Sequence, residues 1–174
     1  MEKILQTLKN GEIVAFAGDI GWLIACDTRN QNACENLKNI YLSIPTDKSK
    51  TPLTIIFKDI GLLNTYAKGI PEVAWDIIDF EENPLSIVFD VVQGLPINLE
   101  NTTNTAVRFV KHGQTKDILH KFGRPLLSMV VSADFLKNNS EKNILINYID
   151  TKEETPTPKH TLMRLGEGGD VKFL

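Results

Sequence analysis

The sequence predicts a single α/β domain in which helices flank one mixed β-sheet. The first observation is that short apolar runs intermingle with segments of helical periodicity, without the strict strand–helix–strand alternation of a parallel sheet. The second is length, since 174 residues suit one domain. The third is composition, because 42% hydrophobic and 24% charged residues are close to the globular average. These values exclude wholesale disorder and a coiled coil, and we expect one domain over residues 1–174.

Apolar runs bounded by glycine, proline or polar residues predict the strands. In chain order these runs are Glu12–Ala17, Trp22–Cys26, Leu53–Phe57, Leu85–Val91, Thr105–Val110, Leu126–Val131 and Asn143–Ile149. Two further segments, His160–Leu165 and Asp170–Leu174, flank the glycine-rich stretch Gly166–Gly169. Because glycine favours tight turns, this arrangement predicts a β-hairpin.

Apolar residues at helical spacing predict the helices. The first carries Ile4, Leu5 and Leu8 on one face and stops at Asn10-Gly11. The others are Asn30–Leu42, Asp59–Ala67, Pro71–Phe80 and Gln114–Phe122. Polar loops are predicted at 43–51, 134–142 and 151–159. The last of these is charged and contains prolines, so we expect it to be mobile.

The charge balance gives no sign of a nucleic-acid-binding protein. Nineteen Lys and Arg residues against 22 Asp and Glu give a net charge of −3, whereas nucleic-acid-binding domains usually show a clear basic excess. Few of the basic residues are arginine. Because the planar guanidinium binds phosphates and carboxylates through two hydrogen bonds, the position of each arginine bears on ligand binding.

The cysteines and histidines match no metal or redox motif. Cys26 and Cys34 have neither zinc-ligand nor Cys-x-x-Cys spacing. The simpler interpretation is that both are small free thiols of a protein in a reducing compartment. His112, His120 and His160 are too scattered to form a metal set by spacing, so no metal site is predicted. No signal peptide or bilayer-spanning run is recognised, so we expect a cytoplasmic protein with no membrane partner.

Arg108 is the charged residue that the pattern singles out. Alternation along its strand places Ala106, Arg108 and Val110 on one face. A charge on a mostly apolar strand must point to a cleft, a partner or solvent, and a surface arginine and a ligand-binding arginine fit the pattern equally well. Ser128 interrupts the apolar run Leu126–Val131 in a similar way.

The polar loop at 43–51 contains the other candidate cations. Lys48 and Lys50 lie beside Ser49 and Thr51, a composition that can grip phosphate. A solvated surface loop is the simpler interpretation of the same residues.

Several stretches match, in order, the motifs of a known family. Gly11–Asp27 resembles a strand followed by P-T-D-T-V-Y-G-L, and Asp19 matches the aspartate of that motif. Thr105–His112 resembles V-A-V-R-x-P-x-H and keeps Arg108 and His112. This order resembles the YrdC-like family, which includes the threonylcarbamoyl-adenylate synthases and the YciO-type proteins.

Two later segments extend the resemblance to the YrdC-like family. Gly123–Ser132 is similar to G-x-P-L-x-S-T-S-A-N, in which Ser128 keeps the first serine and Ser132 stands where asparagine is expected. His160-Thr161-Leu162 is similar to the family's S-T-V. The resemblance implies a YrdC-like twisted mixed sheet with flanking helices and a concave binding face.

The resemblance also implies a ligand. The family's synthases join threonine, bicarbonate and ATP, release pyrophosphate, and so supply a modified adenosine of tRNA. ATP with Mg²⁺ is therefore the implied substrate, with no tightly bound cofactor, and tRNA or double-stranded RNA is an implied partner. The positions implied to bind nucleotide or substrate are Asp19, Lys48, Lys50, Arg108, His112, Ser128, Ser132 and Thr161.

Departures from the family motifs bear on activity more than on fold. Where the family has K-G-R-P, this chain has Leu42–Pro45, which lacks both basic residues, and Ala17 and Gly18 replace a proline and a threonine. Losing one well-placed charged donor typically costs about 10²–10³ in rate. The sequence thus predicts a divergent YrdC-like protein that binds a nucleotide or RNA with weak or no synthase activity. An active synthase that uses Lys48, Lys50 and Arg108, and a non-catalytic regulatory or interaction protein, are the alternatives.

Overall fold

A computed structural model of the chain describes residues 1–100, 102, 104–138, 145–151 and 159–174. The helices within these residues are α1 (Glu2–Lys9), α2 (Gln31–Ser43), α3 (Leu63–Tyr66), α4 (Val73–Phe80), α5 (Gly113–Phe122) and α6 (Ala133–Lys137), with a 3₁₀ turn at Ile60–Leu62. The strands are β1 (Val14–Gly18), β2 (Gly21–Asp27), β3 (Leu53–Phe57), β4 (Ala67–Lys68), β5 (Leu85–Phe89), β6 (Val91–Val92), β7 (Thr105–Phe109), β8 (Leu126–Val131), β9 (Tyr148–Ile149), β10 (Thr161–Leu165) and β11 (Val171–Phe173).

Nine of these strands form one mixed sheet in the order β11-β10-β5-β7-β3-β8-β2-β1-β9. The pairs β3–β7, β5–β10 and β1–β9 are parallel, and the other neighbours are antiparallel. β4 and β6 form a separate two-stranded ladder. The predicted mixed α/β sheet is confirmed.

Alternation along the strands gives the sheet two faces with different helices. Residues such as Ile55, Val107 and Leu127 pack in one core with α2 and α4, and we call this side the α2/α4 face. Residues such as Phe16 and Ile56 pack with α1 and α5 on the other side, the α1/α5 face. Because Arg108 alternates with Val107, its side chain belongs to the α1/α5 face.

Local sequence signals explain how several helices begin and end. The Asn30 side chain accepts a hydrogen bond from the amide of Ala33 and caps α2. Gly123 ends α5 with φ of +79°, a left-handed conformation that glycine adopts at little cost. Ser132 caps α6, since its hydroxyl accepts from the amide of Phe135.

Some predicted elements differ from the structure. The polar loop expected at 134–142 is wrong at its start, because the Ser132 cap allows α6 to form over Ala133–Lys137. The helix expected at 59–67 is divided into a 3₁₀ turn, the single-turn α3 and the strand residue Ala67. The hairpin of β10 and β11 is confirmed.

Three expectations fall partly outside the described residues. Of the loop predicted at 134–142, residues 139–142 lie outside the described ranges. Of the strand predicted at 143–149, residues 143 and 144 lie outside the described ranges, and within 145–149 only Tyr148–Ile149 are in a strand, β9, which pairs with β1. Of the loop predicted at 151–159, residues 152–158 lie outside the described ranges. Within those ranges, no helix has the length and apolar character needed to cross a bilayer.

Candidate functional site

A buried ion pair between Asp19 and Arg108 is the centre of the candidate site. Asp19 lies in the turn between β1 and β2, and Arg108 lies on β7. The Arg108 Nη2 donates to Asp19 Oδ1 at 3.1 Å, and its Nε lies 3.0 Å from Asp19 Oδ2. Arg108 is 1% exposed, and the Asp19 side chain is 10% exposed. Within the fold, the guanidinium is therefore neutralised by a carboxylate that reaches it from a distant turn.

Ser86 and His160 extend this ion pair along the sheet. Ser86 is directly opposite Arg108 in the antiparallel β5–β7 pair, and its Oγ accepts from Arg108 Nη1 at 3.2 Å. The same Oγ lies 2.9 Å from His160 Nε2. A hydroxyl that accepts from a guanidinium is well placed to donate its own proton to a neutral imidazole.

The electrostatics around His160 favour the neutral imidazole. Burial of the ring and the positive charge of Arg108 lower the pKa of His160 to about 4, and the opposing effect of Asp19 is smaller. As a whole residue His160 is exposed, although its Nε2 faces the buried Ser86 hydroxyl.

Thr115 fixes the turn that carries Asp19. Thr115 is completely buried in α5, and its Oγ1 accepts a hydrogen bond of 3.0 Å from the Asp19 amide. The chain passes directly from β7 into α5, so one connection positions both Arg108 and Thr115. The carboxylate of Asp19 is thus held by its backbone as well as by the ion pair.

A pocket of about 260 Å³ opens beside Asp19. Its wall is mainly apolar and is formed by the end of α4, the start of β5 and the β7–α5 connection. The lining residues are Asp19, Ile78, Glu81, Glu82, Asn83, Pro84, Leu85, Phe109, Val110, Lys111, His112 and Gly113.

The charges around the pocket are already engaged with the protein. Lys111 Nζ donates to the carbonyls of Asp79 at 2.7 Å and Glu81 at 2.8 Å, which closes the end of α4. His112 Nε2 lies 3.8 Å from Glu82 Oε2, and both side chains are largely exposed. Because Asp19, Glu81 and Glu82 all line the pocket, its rim is not suited to a polyphosphate.

The two loop lysines have different environments. Lys48 Nζ donates to the carbonyl of Ile44 at 2.7 Å and to that of Tyr41, and it lies 4.2 Å from the centre of the Tyr41 ring. Its ammonium therefore caps the C-terminal end of α2, and burial lowers the pKa of Lys48. Lys50 is exposed on the same loop.

The predicted hydroxyl-bearing residues are placed in three different ways. Ser128 is buried on the α1/α5 face, where its Oγ donates to the carbonyl of Thr54 at 2.9 Å. Ser132 caps α6. Thr161 is level with Leu85 in the β5–β10 pair, so its side chain belongs to the α2/α4 face, on the other side of the sheet from Arg108.

The structure thus brings some of the predicted residues together and separates others. Asp19 and Arg108 are in contact, and His112 lines the same pocket as Asp19. Sequence reasoning missed Ser86, Thr115 and His160. His160 had a detectable signal, since it occupies the serine position of the S-T-V-like segment. The ligand-binding roles of the residues predicted from the resemblance stay predictions.

No metal centre is found in the part of the chain that the structure describes. Over those residues, no group of three or more His, Cys, Asp or Glu side chains is arranged to hold a metal ion. Cys26 and Cys34 are buried with their sulfurs 3.9 Å apart and are not linked by a disulfide. The hydrogen bond to Cys34 and burial raise the pKa of the Cys26 thiol.

Known proteins resemble the chain in fold. P. abyssi Sua5 complexed with L-threonine has a TM-score of 0.65 and 22% identity, over 94% of this chain and 50% of that one. E. coli YciO has a TM-score of 0.69 and 16% identity, over 94% of this chain and 82% of that one. Full-length HypF in its phosphate- and nucleotide-bound form has a TM-score of 0.66 and 10% identity, over 99% of this chain and 28% of that one. This chain spans about half the length of the P. abyssi Sua5 chains.

The sequence comparison agrees with the fold comparison. No curated protein matches the sequence significantly. The model of the Sua5/YciO/YrdC family, which is described as telomere recombination, matches residues 6–155. Since this match covers well over half of the 174 residues, the chain belongs to the Sua5/YciO/YrdC family, as the order of its motifs predicted.

Proposed function

We propose that this protein binds an adenine nucleotide next to the Asp19–Arg108 pair and has weak or no threonylcarbamoyl-adenylate synthase activity. Membership of the family supports a role connected with tRNA modification. Nucleotide binding is supported by the likeness to HypF in a nucleotide-bound form. The likeness to Sua5 complexed with L-threonine supports L-threonine as a second candidate ligand, of a different chemical class.

The observation that carries the proposal is that two of the candidate phosphate-binding cations are already bound to other groups of the protein. Forming a mixed anhydride on ATP requires positive charge around the departing pyrophosphate, part of which Mg²⁺ brings with the nucleotide. Arg108 is already paired with Asp19, and Lys48 is bound to main-chain carbonyls. Among the predicted phosphate ligands Lys50 is exposed. A site of this kind favours binding of a less charged nucleotide over transfer from ATP.

Pyrophosphate release tests the catalytic part of the proposal. The full chain is incubated with Mg-ATP, L-threonine and bicarbonate, with P. abyssi Sua5 assayed in parallel. Because each lost charged donor costs about 10²–10³ in rate, we expect turnover below about 1% of the Sua5 rate. Turnover comparable to Sua5 would show that this chain is an active synthase and would overturn the proposal.

Calorimetric titration tests the nucleotide-binding part. We expect both AMP and ATP to bind the native chain, with ATP not favoured by its extra phosphates. Arg108→Lys keeps the positive charge but cannot make the two-atom contact of the guanidinium with Asp19, because a lysine ammonium is a point charge. Since Asp19 lines the pocket, we expect this variant to bind the nucleotide about tenfold more weakly. Lys121→Ala, on the exposed end of α5, is the matched control and should bind as the native chain does.

Two outcomes of these titrations contradict nucleotide binding at this site. Absence of binding by both nucleotides would favour a regulatory or interaction protein on the same scaffold. Unchanged affinity in a folded Arg108→Lys variant, checked by circular dichroism, would place any nucleotide site elsewhere.

RNA is the other ligand that the family resemblance suggests. Binding to phosphates releases counterions, so a true RNA complex weakens steeply as salt rises. With a net charge of −3, we expect tRNA and double-stranded RNA to bind weakly even at low salt. Tight, salt-dependent binding of tRNA in a filter assay would make RNA the primary ligand.

A further inference from the structure

Strand β11 is an exposed edge of the nine-stranded sheet. It is the terminal strand beside β10, and all three of its residues are exposed. Two of them are large and apolar, with Val171 45% and Phe173 70% exposed. Exposed edges with apolar side chains are templates for pairing with another strand.

The hydrogen bonds of the hairpin show which main-chain groups of β11 point outward. The Leu174 amide donates to the carbonyl of Leu162 at 3.0 Å, and the Gly166 amide donates to the carbonyl of Asp170 at 3.1 Å. Asp170 and Leu174 therefore face β10. Since successive residues of an antiparallel strand alternate in direction, Val171 turns its amide and carbonyl away from β10.

We propose that a second copy of this chain pairs with β11 in an antiparallel, two-fold symmetric manner centred on Val171. In this register Val171 of each copy exchanges two main-chain hydrogen bonds with Val171 of the other. Asp170 of one copy is then directly opposite Lys172 of the second copy, and the reverse pair forms by symmetry. All of these residues are exposed. The edge is therefore complementary to itself in charge as well as in backbone direction.

The same register gives Phe173 an apolar contact. It places Phe173 of the second copy beside Gly169, a turn residue outside β11 whose amide donates to the Gly166 carbonyl at 2.9 Å. Gly169 has φ of +84° and no side chain to obstruct the ring. A Cβ at Gly169 would lie 3.9 Å from Val73 Cγ1, so the open space above the glycine is bordered by Val73. Val73 is 41% exposed in the single chain. Pairing thus covers Val73, Val171 and Phe173 together.

A register shifted by one residue on each strand is disfavoured. Centring the pair on Lys172 would place the two Lys172 ammonium groups directly opposite each other, and like charges across a ladder are destabilising. A lysine on an edge strand commonly blocks pairing. Here Lys172 blocks the wrong register, while Asp170 makes the other register favourable.

Sedimentation equilibrium of the full chain tests the proposal. Because the paired surface is small, we expect a weak dimer that is detected between about 10 µM and 1 mM. Lys172→Asp and Asp170→Lys each replace two attractions by two repulsions, and each should weaken dimerisation about tenfold. The double variant Asp170→Lys/Lys172→Asp exchanges the charges and should return to within about threefold of the native dissociation constant.

Matched variants distinguish this register from association through another surface of the chain. Lys116→Asp changes the same charge on the exposed surface of α5 and should leave dimerisation unchanged. Phe173→Ser should weaken the dimer without a charge change, and thermal melts establish that each variant is folded. A native chain that is monomeric at about 1 mM would overturn the proposal. So would single variants that dimerise as the native chain does, or failure of the folded double variant to restore pairing.

Discussion

Removing the Asp19 carboxylate is expected to destabilise the fold strongly, because it leaves the Arg108 guanidinium buried and unpaired. Arg108 is 1% exposed, and its contacts at 3.0 Å and 3.1 Å are both to Asp19. Without them it keeps the neutral Ser86 hydroxyl. Breaking a buried ion pair from one side costs about 3–5 kcal/mol, so Asp19→Ala should lose about 4 kcal/mol of unfolding free energy.

The reverse substitution gives a different expectation. Arg108→Met leaves the Asp19 carboxylate beside a pocket, and the Asp19 amide is still held by Thr115. This variant should therefore lose less unfolding free energy than Asp19→Ala, about 2 kcal/mol. When both are replaced no buried charge remains, and the double variant should lose about 3 kcal/mol rather than the sum of the two. The expected coupling energy is therefore about 3 kcal/mol.

Urea denaturation followed by circular dichroism measures all four proteins. With a slope of about 2 kcal/mol per molar urea, Asp19→Ala should lower the midpoint by about 2 M. Asp117→Ala, an exposed carboxylate on α5, is the control and should change stability by less than about 0.5 kcal/mol. Additive single effects, or a loss below about 1 kcal/mol in Asp19→Ala, would refute the interpretation of this pair as a buried, mutually dependent unit.

Three further predictions concern single groups. The folded pKa of His160, about 4, lies below the value of about 6.5 in an unfolded chain, so the unfolded state binds the extra proton first. Stability should fall from about pH 6.5 to about pH 4, and denaturation of His160→Gln across this range should show a smaller loss; an unchanged pH profile would contradict this. Cys26 and Cys34 are buried and the Cys26 thiol has a raised pKa, so Ellman's reagent should label them after unfolding and not in the native chain; rapid native labelling would contradict their burial. Thr115→Val should cost about 1–3 kcal/mol in thermal unfolding, since it leaves the Asp19 amide without its acceptor, whereas Thr115→Ser should be much milder; equal losses would show that the hydroxyl does not stabilise this turn.

The strands of the main sheet could be predicted because their signal is local. The runs at Leu53–Phe57 and Leu126–Val131 are apolar and bounded by polar or proline-containing segments, and both form buried strands. The prediction of a loop from residue 134 is wrong at its start. The segment is polar and reads as a loop, whereas the Ser132 cap that begins α6 is a weaker signal in the sequence. The two-residue strands β4 and β6 carry no periodic signal, since their pairing depends on tertiary position.

The candidate site was harder to predict because its contacts are not local. Alternation identified Arg108 as unusual, but the choice between surface and site depends on Asp19, which is 89 residues away. Lys48 shows a second contact that the pattern does not reveal, since its ammonium is bound to carbonyls at the C-terminal end of the preceding helix α2. Charge and spacing cannot show whether a cation is free for a ligand or already used by the backbone.

The position of β10 has a consequence for how the chain matures. β5 lies between β7 and β10, and His160, which meets Ser86 across 74 residues, comes directly before β10. During synthesis the N-terminal part of a chain emerges first. Until residues beyond 160 have left the ribosome, the apolar strand Leu85–Phe89 has a free edge where β10 will pair. Pairing of β10 with β5 therefore covers this edge and, in the same late step, brings His160 to the hydrogen-bonded group of Ser86, Arg108 and Asp19. A nascent protein whose β5 edge is still open to aggregation is thus also one whose candidate site is incomplete.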